Sequence, residues 1–283
     1  MKIYAGQRRR LIAFMIARHE MYLNRKAGHP APWSDDPILR RYRFTNVYRE
    51  LDRTTEHVDR VIRRPLADHK HLWFNIAVAR TIGRIDSIDD ALYDRILPTS
   101  QWNQQKFMTW AAARKERGLK TFTAAYLTMA VAKRLGLMWE RRKEVEPQLH
   151  GRMEDACNAI RTCPGWGRFM SYELTCDMRF TRYLRDAPDV DTWTSNGPGS
   201  MRGLNRVTQR PLKARWHAGE FIDVMLELQA IVRPQFLAAF DGRLPAVPFE
   251  LRELEHSLCE FDKYERARTG EGVPKQIFKP RAD

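Results

Sequence analysis

A mostly α-helical protein is the fold class that this sequence predicts, and three observations support it. Apolar residues recur every three to four positions through most of the chain, as on one face of a helix. Alternating apolar and polar residues, typical of strands, are scarce, and no long-period repeat is present. Hydrophobic residues make up 43% of the 283 positions, which is enough for a sizeable buried core.

The helical spacing is clearest in residues 40–62, where Phe44, Val47, Tyr48 and Leu51 would share one face of a helix. The same spacing predicts further helices over 7–27, 70–84, 87–96, 101–114, 120–136, 150–161, 168–180, 215–238 and 249–262. We expect one helical domain over 1–268, followed by a polar, extended tail over 269–283. A division into two lobes around a cleft, about 1–150 and 151–268, stays open.

Charge is the clearest global signal. Lys and Arg total 49 against 35 acidic residues, a net charge of +14, so the protein suits a polyanionic partner. Because the basic residues are spread along the chain and no lipidation motif is present, we expect nucleic acid rather than membrane. No apolar run reaches the ~20 residues of a membrane span, and the sequence predicts a cytoplasmic protein. The four cysteines form no CxxC pair, so we expect neither disulfides nor a bound metal.

The sharpest local motif is CPGWGRF at residues 163–169, between two helical patterns. Pro-Gly-x-Gly opening a helix is typical of a helix-hairpin-helix turn, in which glycines allow a tight turn and backbone N–H groups hold a DNA phosphate. An ordinary helix–helix turn is the alternative. The residues expected to bind DNA here are Gly165, Trp166, Gly167 and Arg168.

Acidic residues within this motif's second helix and after it are candidates for catalysis. DNA glycosylases that carry such a hairpin place a catalytic Asp about two dozen residues after it, where this chain has Asp189 and Asp191, and Asp191 fits better. Their lyase subtype has Lys at the position of Phe169, so this chain lacks the Schiff-base nucleophile. Glu173 and Asp177 lie one helical turn apart and form a second candidate for a general base. Helix capping and a solvated face are the alternatives.

Two further segments have side chains suited to phosphate. The stretch 195–206 predicts a glycine loop, with Gly197, Gly199, Ser200, Arg202 and Arg206 able to surround an oxyanion or contact DNA. The polar face of 43–53 combines Arg43, Asn46, Arg49 and Arg53, with Asp52 on its flank. A solvent loop and a solvated face are the respective alternatives. The chain contains no GxxxxGK[ST] phosphate loop, no HExxH and no dinucleotide fingerprint.

Three stretches together resemble one known family. They are RYRFTNVYRELDR at 41–53, Asp191-Thr192-Trp193 with the GPGS of 197–200, and LCEFDKY at 258–264. They resemble phage thymine-hypermodification proteins, namely the alpha-glutamyl/putrescinyl thymine pyrophosphorylase group with its amino acid:DNA transferases. The first stretch is also similar to the helical domain of hydroxymethyluracil DNA kinases. The resemblance covers roughly 8–280.

This resemblance implies a helix-hairpin-helix, glycosylase-like fold and a transferase in the cytoplasm of an infected bacterium. The implied substrate is double-stranded DNA in which a hydroxymethyluracil has been phosphorylated, and an amine replaces the phosphate or pyrophosphate on the 5-methylene carbon. The co-substrate is a free amino acid or polyamine, with glycine our first expectation, and no cofactor is implied. The resemblance assigns phosphate binding to the 43–53 and 197–202 residues. Asp191, Glu173 or Asp177 would activate the amine on an extruded base.

Two other functions stay open at this point. A monofunctional DNA glycosylase would release a free base and leave an abasic site. A DNA-binding module without catalysis would explain the hairpin and the positive charge, but would give the acids no chemical role.

Overall fold

The computed structural model describes residues 1–280. Within that range, helices are the regular secondary structure and no strand occurs. The α-helices are α1 (Ala5–Lys26), α2 (Pro37–Arg41), α3 (Arg53–Val58), α4 (Leu72–Ile82), α5 (Ile85–Tyr93), α6 (Gln104–Glu116), α7 (Thr128–Glu140), α8 (Arg142–Val145), α9 (Met153–Arg161), α10 (Arg168–Met178), α11 (Pro198–Thr208), α12 (Ala218–Ala238) and α13 (Leu251–Thr269). Short 3-10 turns span Arg49–Leu51 and Glu146–Leu149, and a π turn spans Asp59–Arg63. The predicted mostly α fold is confirmed. Within the described range, no helix is both long and apolar enough to cross a membrane.

The chain forms two compact units. Unit 1 combines Met1–Asp52 with the described residues from Val190 onward, and unit 2 is the continuous segment Arg53–Asp189. Unit 1 therefore contains α1, α2 and α11 to α13, while unit 2 contains α3 to α10. The lobe boundary considered near residue 150 falls inside unit 2.

Unit 1 is built around aromatic side chains from α1, α12 and α13. Phe14 of α1 lies 5.7 Å from Phe44 and 6.1 Å from Phe261, measured between ring centroids. Phe236 and Phe249 extend the cluster from α12 and from the segment before α13. Such rings bury about 150–250 Å² each and are a main source of the unit's stability.

Helix α13 is enclosed over its first two turns. All eight residues from Leu251 to Leu258 are buried, although five of them are polar or charged: Arg252, Glu253, Glu255, His256 and Ser257. Helix α11 lies against it so closely that a Cβ at Gly203 would stand 2.7 Å from the carbonyl carbon of Leu258. Gly199 is similarly close to Cys259. Only glycine permits this backbone approach.

The glycine-rich segment after residue 195 is therefore not the loop that the sequence predicts. Pro198 begins α11 at the position where its missing N–H costs nothing, and Gly197 precedes the helix in extended conformation. Glycine and proline signal a loop in a sequence, but here they start a helix and allow it to pack on α13.

The helix predicted over 40–62 is also wrong in its centre. Helix α2 ends at Arg41, the chain is irregular up to the 3-10 turn at Arg49, and α3 starts only at Arg53. Side chains replace the helical hydrogen bonds: Arg18 donates to the Phe44 carbonyl, and Glu260 accepts from the Thr45 N–H. Asp52 accepts from the N–H of Asn46 at 2.9 Å. Competing bonds of this kind favour irregular backbone over helix.

Unit 2 is centred on α4, of which every residue except Arg80 is buried. The turn Thr162–Gly167 joins α9 to α10, the two helices pack against each other, and α10 also packs against α4. Asp189 is the last residue of unit 2. Its carboxylate accepts the N–H groups of Met153 and Glu154 at 2.8 and 3.0 Å. It thereby satisfies N–H groups in the first turn of α9, which have no partner within the helix.

The segment after α13 is extended but packs on unit 1. Gln276 accepts the N–H of Arg43 at 3.0 Å, and the N–H of Phe278 donates to Arg41 at 2.9 Å. The ring of Phe278 lies 6.0 Å from that of Trp33. Of the tail predicted over 269–283, residues 281–283 lie outside the described range.

Replacing Gly203 with Ala is expected to lower the free energy of unfolding by about 1–3 kcal/mol, because the new Cβ would collide with the backbone of Leu258. Chemical denaturation of the purified protein measures this change. Gly219→Ala in α12 is the control, since nothing lies within 4 Å of its Cβ position, and should stay within about 0.5 kcal/mol. Equal effects of the two substitutions would show that the α11–α13 contact is not tight.

Candidate functional site

Asp191 lies beside the beginning of α13 in unit 1. The carbonyl of Val190 accepts the N–H of Leu251 at 3.1 Å, which fixes the preceding backbone. Both carboxylate oxygens of Asp191 lie 3.2 Å from Nη1 of Arg233, and Gln229 donates to one of them at 3.3 Å. The Asp191 side chain remains 46% exposed, so it is oriented by two neighbours and still accessible to a ligand.

A second group of polar side chains surrounds the irregular segment 44–52. Asn46 donates to the Leu51 carbonyl at 2.7 Å and to Asp52 at 3.0 Å, and Arg49 donates to the other oxygen of Asp52 at 2.6 Å. The Oδ1 atom of Asn46 is buried and has no hydrogen-bond donor near it among the described residues. The segment is therefore held rigidly by its own side chains.

Arg18 of α1 approaches the same segment from the other side. Its Nε and Nη2 atoms lie 3.3 and 3.2 Å from the carbonyl oxygen of Phe44. Burial lowers the pKa of Arg18 to about 10, against the opposing effect of Asp52 and Glu260. Glu260 also accepts the Thr45 N–H at 3.0 Å, so the first and third stretches of the resemblance meet here.

The buried start of α13 contains charged residues that the sequence analysis did not single out. Arg252 lies 3.3 Å from Glu50, 3.3 Å from Glu250 and 3.0 Å from Glu253. Glu253 also accepts the N–H of Glu250 at 2.9 Å in a capping box. Burial, opposed by Arg252, raises the pKa of Glu253 to about 7. Three carboxylates around one buried guanidinium are costly to desolvate. A strongly shifted pKa such as that of Glu253 is common among residues of functional sites.

The arginines of α11 are held by acids rather than exposed around an anion cradle. Arg202 and Arg206 donate to the two oxygens of Asp262 at 3.0 and 2.8 Å, and Arg206 also pairs with Glu271. The hydrogen bond from Arg206 lowers the pKa of Glu271 to about 2. Ser200 is buried and donates to the Gly197 carbonyl at 3.1 Å. Phosphate binding by this segment stays a prediction. Both arginines already pair with carboxylates, and the Ser200 hydroxyl already donates to a backbone carbonyl.

The remaining phosphate candidates lie apart from this network. Arg43 is exposed and its backbone pairs with Gln276 in unit 1, whereas Arg53 is exposed at the first position of α3 in unit 2. The helical spacing predicted both on one helical face with Asn46 and Arg49. The irregular backbone between them removes that shared face.

In unit 2, the carboxylates of Glu173 and Asp177 converge on one arginine. Arg80, the one residue of α4 that is not fully buried, donates to Glu173 at 3.1 Å and to both oxygens of Asp177. Arg63 donates to the Asp177 carbonyl at 3.3 Å. Glu173 and Asp177 are buried, so this cluster links α4 to α10. If either acid acts as a general base, its carboxylate is paired with Arg80 at the start of the reaction.

The hairpin of unit 2 has the geometry expected of a tight turn. Gly165 has a φ of +81°, and Gly167 precedes α10 in extended conformation without a capping side chain. Both glycines and Arg168 are exposed, while the ring of Trp166 is fully buried and anchors the turn. The turn therefore presents exposed backbone on a fixed base.

Residues 1–280 contain no group of three or more His, Cys, Asp or Glu side chains able to hold a metal ion. None of the four cysteines forms a disulfide within the described residues; Cys157, Cys163 and Cys176 are buried and Cys259 is exposed. Burial raises the pKa of Cys157 and of Cys163.

Comparison with known proteins gives a family. The model of the 5-hmdU DNA kinase helical domain matches residues 7–273. The chain is also 24% identical over 284 aligned positions to the 5-hmdU DNA kinase of Bacillus phage SP10. That alignment covers 88% of this chain but 43% of the kinase, so the chain spans less than half the length of the curated relative it matches. No solved structure matches the chain.

The family match spans all three stretches on which the resemblance was based, and in unit 1 those stretches meet at α11 and α13. The resemblance to phage thymine-hypermodification proteins is thereby confirmed. This chain belongs to the family of the 5-hmdU DNA kinase helical domain.

Proposed function

We propose that this protein modifies thymine-related bases in DNA and is an amino acid:DNA transferase of the thymine-hypermodification type. The observation that carries the proposal is the meeting of the motif stretches at α13, where Glu260 accepts the Thr45 N–H and Gly199 lies against Cys259. In the same unit, Asp52 pairs with Arg49 and Asp191 pairs with Arg233. The name of the phage relative connects that protein with DNA containing 5-hmdU, which supports a related substrate here.

The proposed reaction replaces one bond by another. The lone pair of an amine attacks the 5-methylene carbon of a phosphorylated hydroxymethyluracil, and a C–N bond forms as the C–O bond to phosphate breaks. The phosphate or pyrophosphate leaves with the electron pair of that bond, and the proton of the amine passes to a carboxylate. Stabilising such a leaving anion requires cations, for which Arg49 and Arg18 are suited.

Asp191 is the better candidate for the carboxylate that takes the proton. It is accessible and oriented by Gln229 and Arg233, whereas Glu173 and Asp177 are buried and paired with Arg80. A general base must reach the proton it removes, so accessibility favours Asp191. In this proposal, Glu173 and Asp177 have a supporting role in unit 2.

DNA binding is assigned to the hairpin of unit 2. Its exposed glycines let backbone approach a phosphate closely, and the start of α10 contributes the positive end of a helix dipole. The net charge of +14 adds a general attraction to DNA. The reacting base must leave the duplex, which costs a few kcal/mol and is offset by these contacts.

Incubating the protein with DNA that carries phosphomethyl- or pyrophosphomethyl-deoxyuridine and a panel of amines tests the proposal. We expect nucleoside mass spectrometry to show the amine attached to the base, with glycine the first candidate donor. Asp191→Asn should lower the rate about 100-fold or more, the usual contribution of a general base. Asp223→Asn, at an exposed position of the same helix as Arg233, is the control and should keep the wild-type rate.

Other products would identify the alternative functions. An abasic site with a free base would identify a DNA glycosylase, to which the hairpin and the following Asp191 also conform. Tight DNA binding, unchanged bases and no effect of Asp191→Asn would identify a DNA-binding module, as the match to one part of a longer kinase also allows. Either result would contradict the transferase proposal.

Replacing Arg168 with Gln is expected to weaken duplex binding for all sequences alike. Loss of one phosphate contact should make the slope of log K against log salt less negative by about one. Fluorescence anisotropy at several salt concentrations measures the slope. Lys115→Gln at an exposed site of α6 is the control, because it removes the same charge elsewhere in unit 2. Identical slopes for the two variants would argue against phosphate binding at the hairpin.

A further inference from the structure

Phe169 is an exposed aromatic side chain beside the hairpin. It is the second residue of α10, two positions after Gly167, and 65% of its surface is accessible. A lone apolar residue on a surface is ordinary. The surroundings of Phe169 are not, because the turn next to it lies on a cation that has no anionic partner among the described residues.

That cation is Arg134 of α7. Its guanidinium lies 5.5 Å from the ring of Trp166 and 5.4 Å from the ring of Tyr126, so two aromatic side chains hold it in place. Its Nε and Nη2 atoms are buried without an acceptor among the described residues, and the buried indole N–H of Trp166 also lacks one. Burial lowers the pKa of Arg134, and no carboxylate acts against that effect.

The hairpin backbone lies directly over Arg134. A Cβ at Gly165 would stand 3.0 Å from its Cδ and Cγ atoms, so glycine is needed for this approach as well as for the positive φ. A guanidinium that two aromatic rings hold in place, and that has no carboxylate partner among the described residues, is suited to pair with a phosphate oxygen. The exposed side chains of Arg161 and Arg168 at the two ends of the hairpin add to the positive charge.

We propose that the hairpin, Arg134 and Phe169 form a binding site for one unpaired nucleotide of DNA. Arg134 binds the phosphate of the nucleotide, and the ring of Phe169 stacks on its base. Stacking suits Phe169 because the ring is accessible on a fixed helix, and a base offers a flat surface of the same kind. The site rests on the DNA-binding part of the proposed function and adds recognition of an unpaired base.

Two duplexes test the stacking, one fully paired and one with a single bulged thymidine. We expect the wild-type protein to prefer the bulged duplex in fluorescence anisotropy. Phe169→Ala should weaken binding of the bulged duplex about 5- to 150-fold, which corresponds to roughly 1–3 kcal/mol of stacking at 1.4 kcal/mol per tenfold change. It should leave the paired duplex within about twofold. Because the residue is exposed, the substitution is expected to leave folding intact.

Matched variants separate stacking from other effects. Phe169→Trp should keep the preference, and Tyr93→Ala, which removes an aromatic residue that is 88% exposed in the same unit, should not change it. Arg134→Gln should weaken both duplexes and lower the salt slope by about one, while Arg134→Lys, which retains the charge, should keep the slope. Thermal unfolding confirms that each variant folds.

The outcomes distinguish this site from the proposed function. If Phe169→Ala binds both duplexes as the wild type does, the base-stacking site is wrong while DNA binding and transfer stand. The same conclusion follows if the wild type binds duplex DNA without preferring the bulge. If the wild type binds neither duplex, the stacking site and the DNA-binding part of the proposed function fail together.

Discussion

The constraint on which unit 1 depends is the burial of Arg252 among three carboxylates at the start of α13. Isolated charges in a protein interior are prohibitively costly, so Glu50, Glu250 and Glu253 must stay close to the guanidinium. This requirement ties α13 to the segment that contains Asn46, Arg49 and Asp52. The candidate site is therefore held by an ionic core rather than by apolar packing alone.

Helix α13 connects the chemistry of the site with its packing. Its first turn fixes the backbone before Asp191, its middle accepts the close approach of Gly203, and Glu260 holds the Thr45 backbone. These contacts are distributed along the helix from its first turn to Glu260. The hairpin of unit 2 is held differently, by the buried side chain of Trp166 between two exposed glycines.

Much of this was predictable from local sequence, and the exceptions have physical causes. The helical spacing located most helices, and the Pro-Gly-Trp-Gly motif located the turn before α10. Segment 42–52 was mispredicted because its backbone partners, Arg18 and Glu260, come from distant helices. The burial of the charged residues of α13 could not be predicted, because a charged helical face usually lies in water. Asp189 and Asp191 look alike in sequence, yet one caps α9 and the other pairs with Arg233.

The division of unit 1 between the two ends of the chain affects the order in which the protein can form on the ribosome. Unit 2 is continuous, so its core can close while synthesis is still in progress. Helix α1 is synthesised before unit 2, whereas α12 and α13 are synthesised after it, so until then Leu11, Phe14 and Met15 lack the side chains that cover them. The apolar face of α1 therefore stays uncovered while unit 2 is being made, and transiently exposed apolar surface of this kind is what chaperones protect.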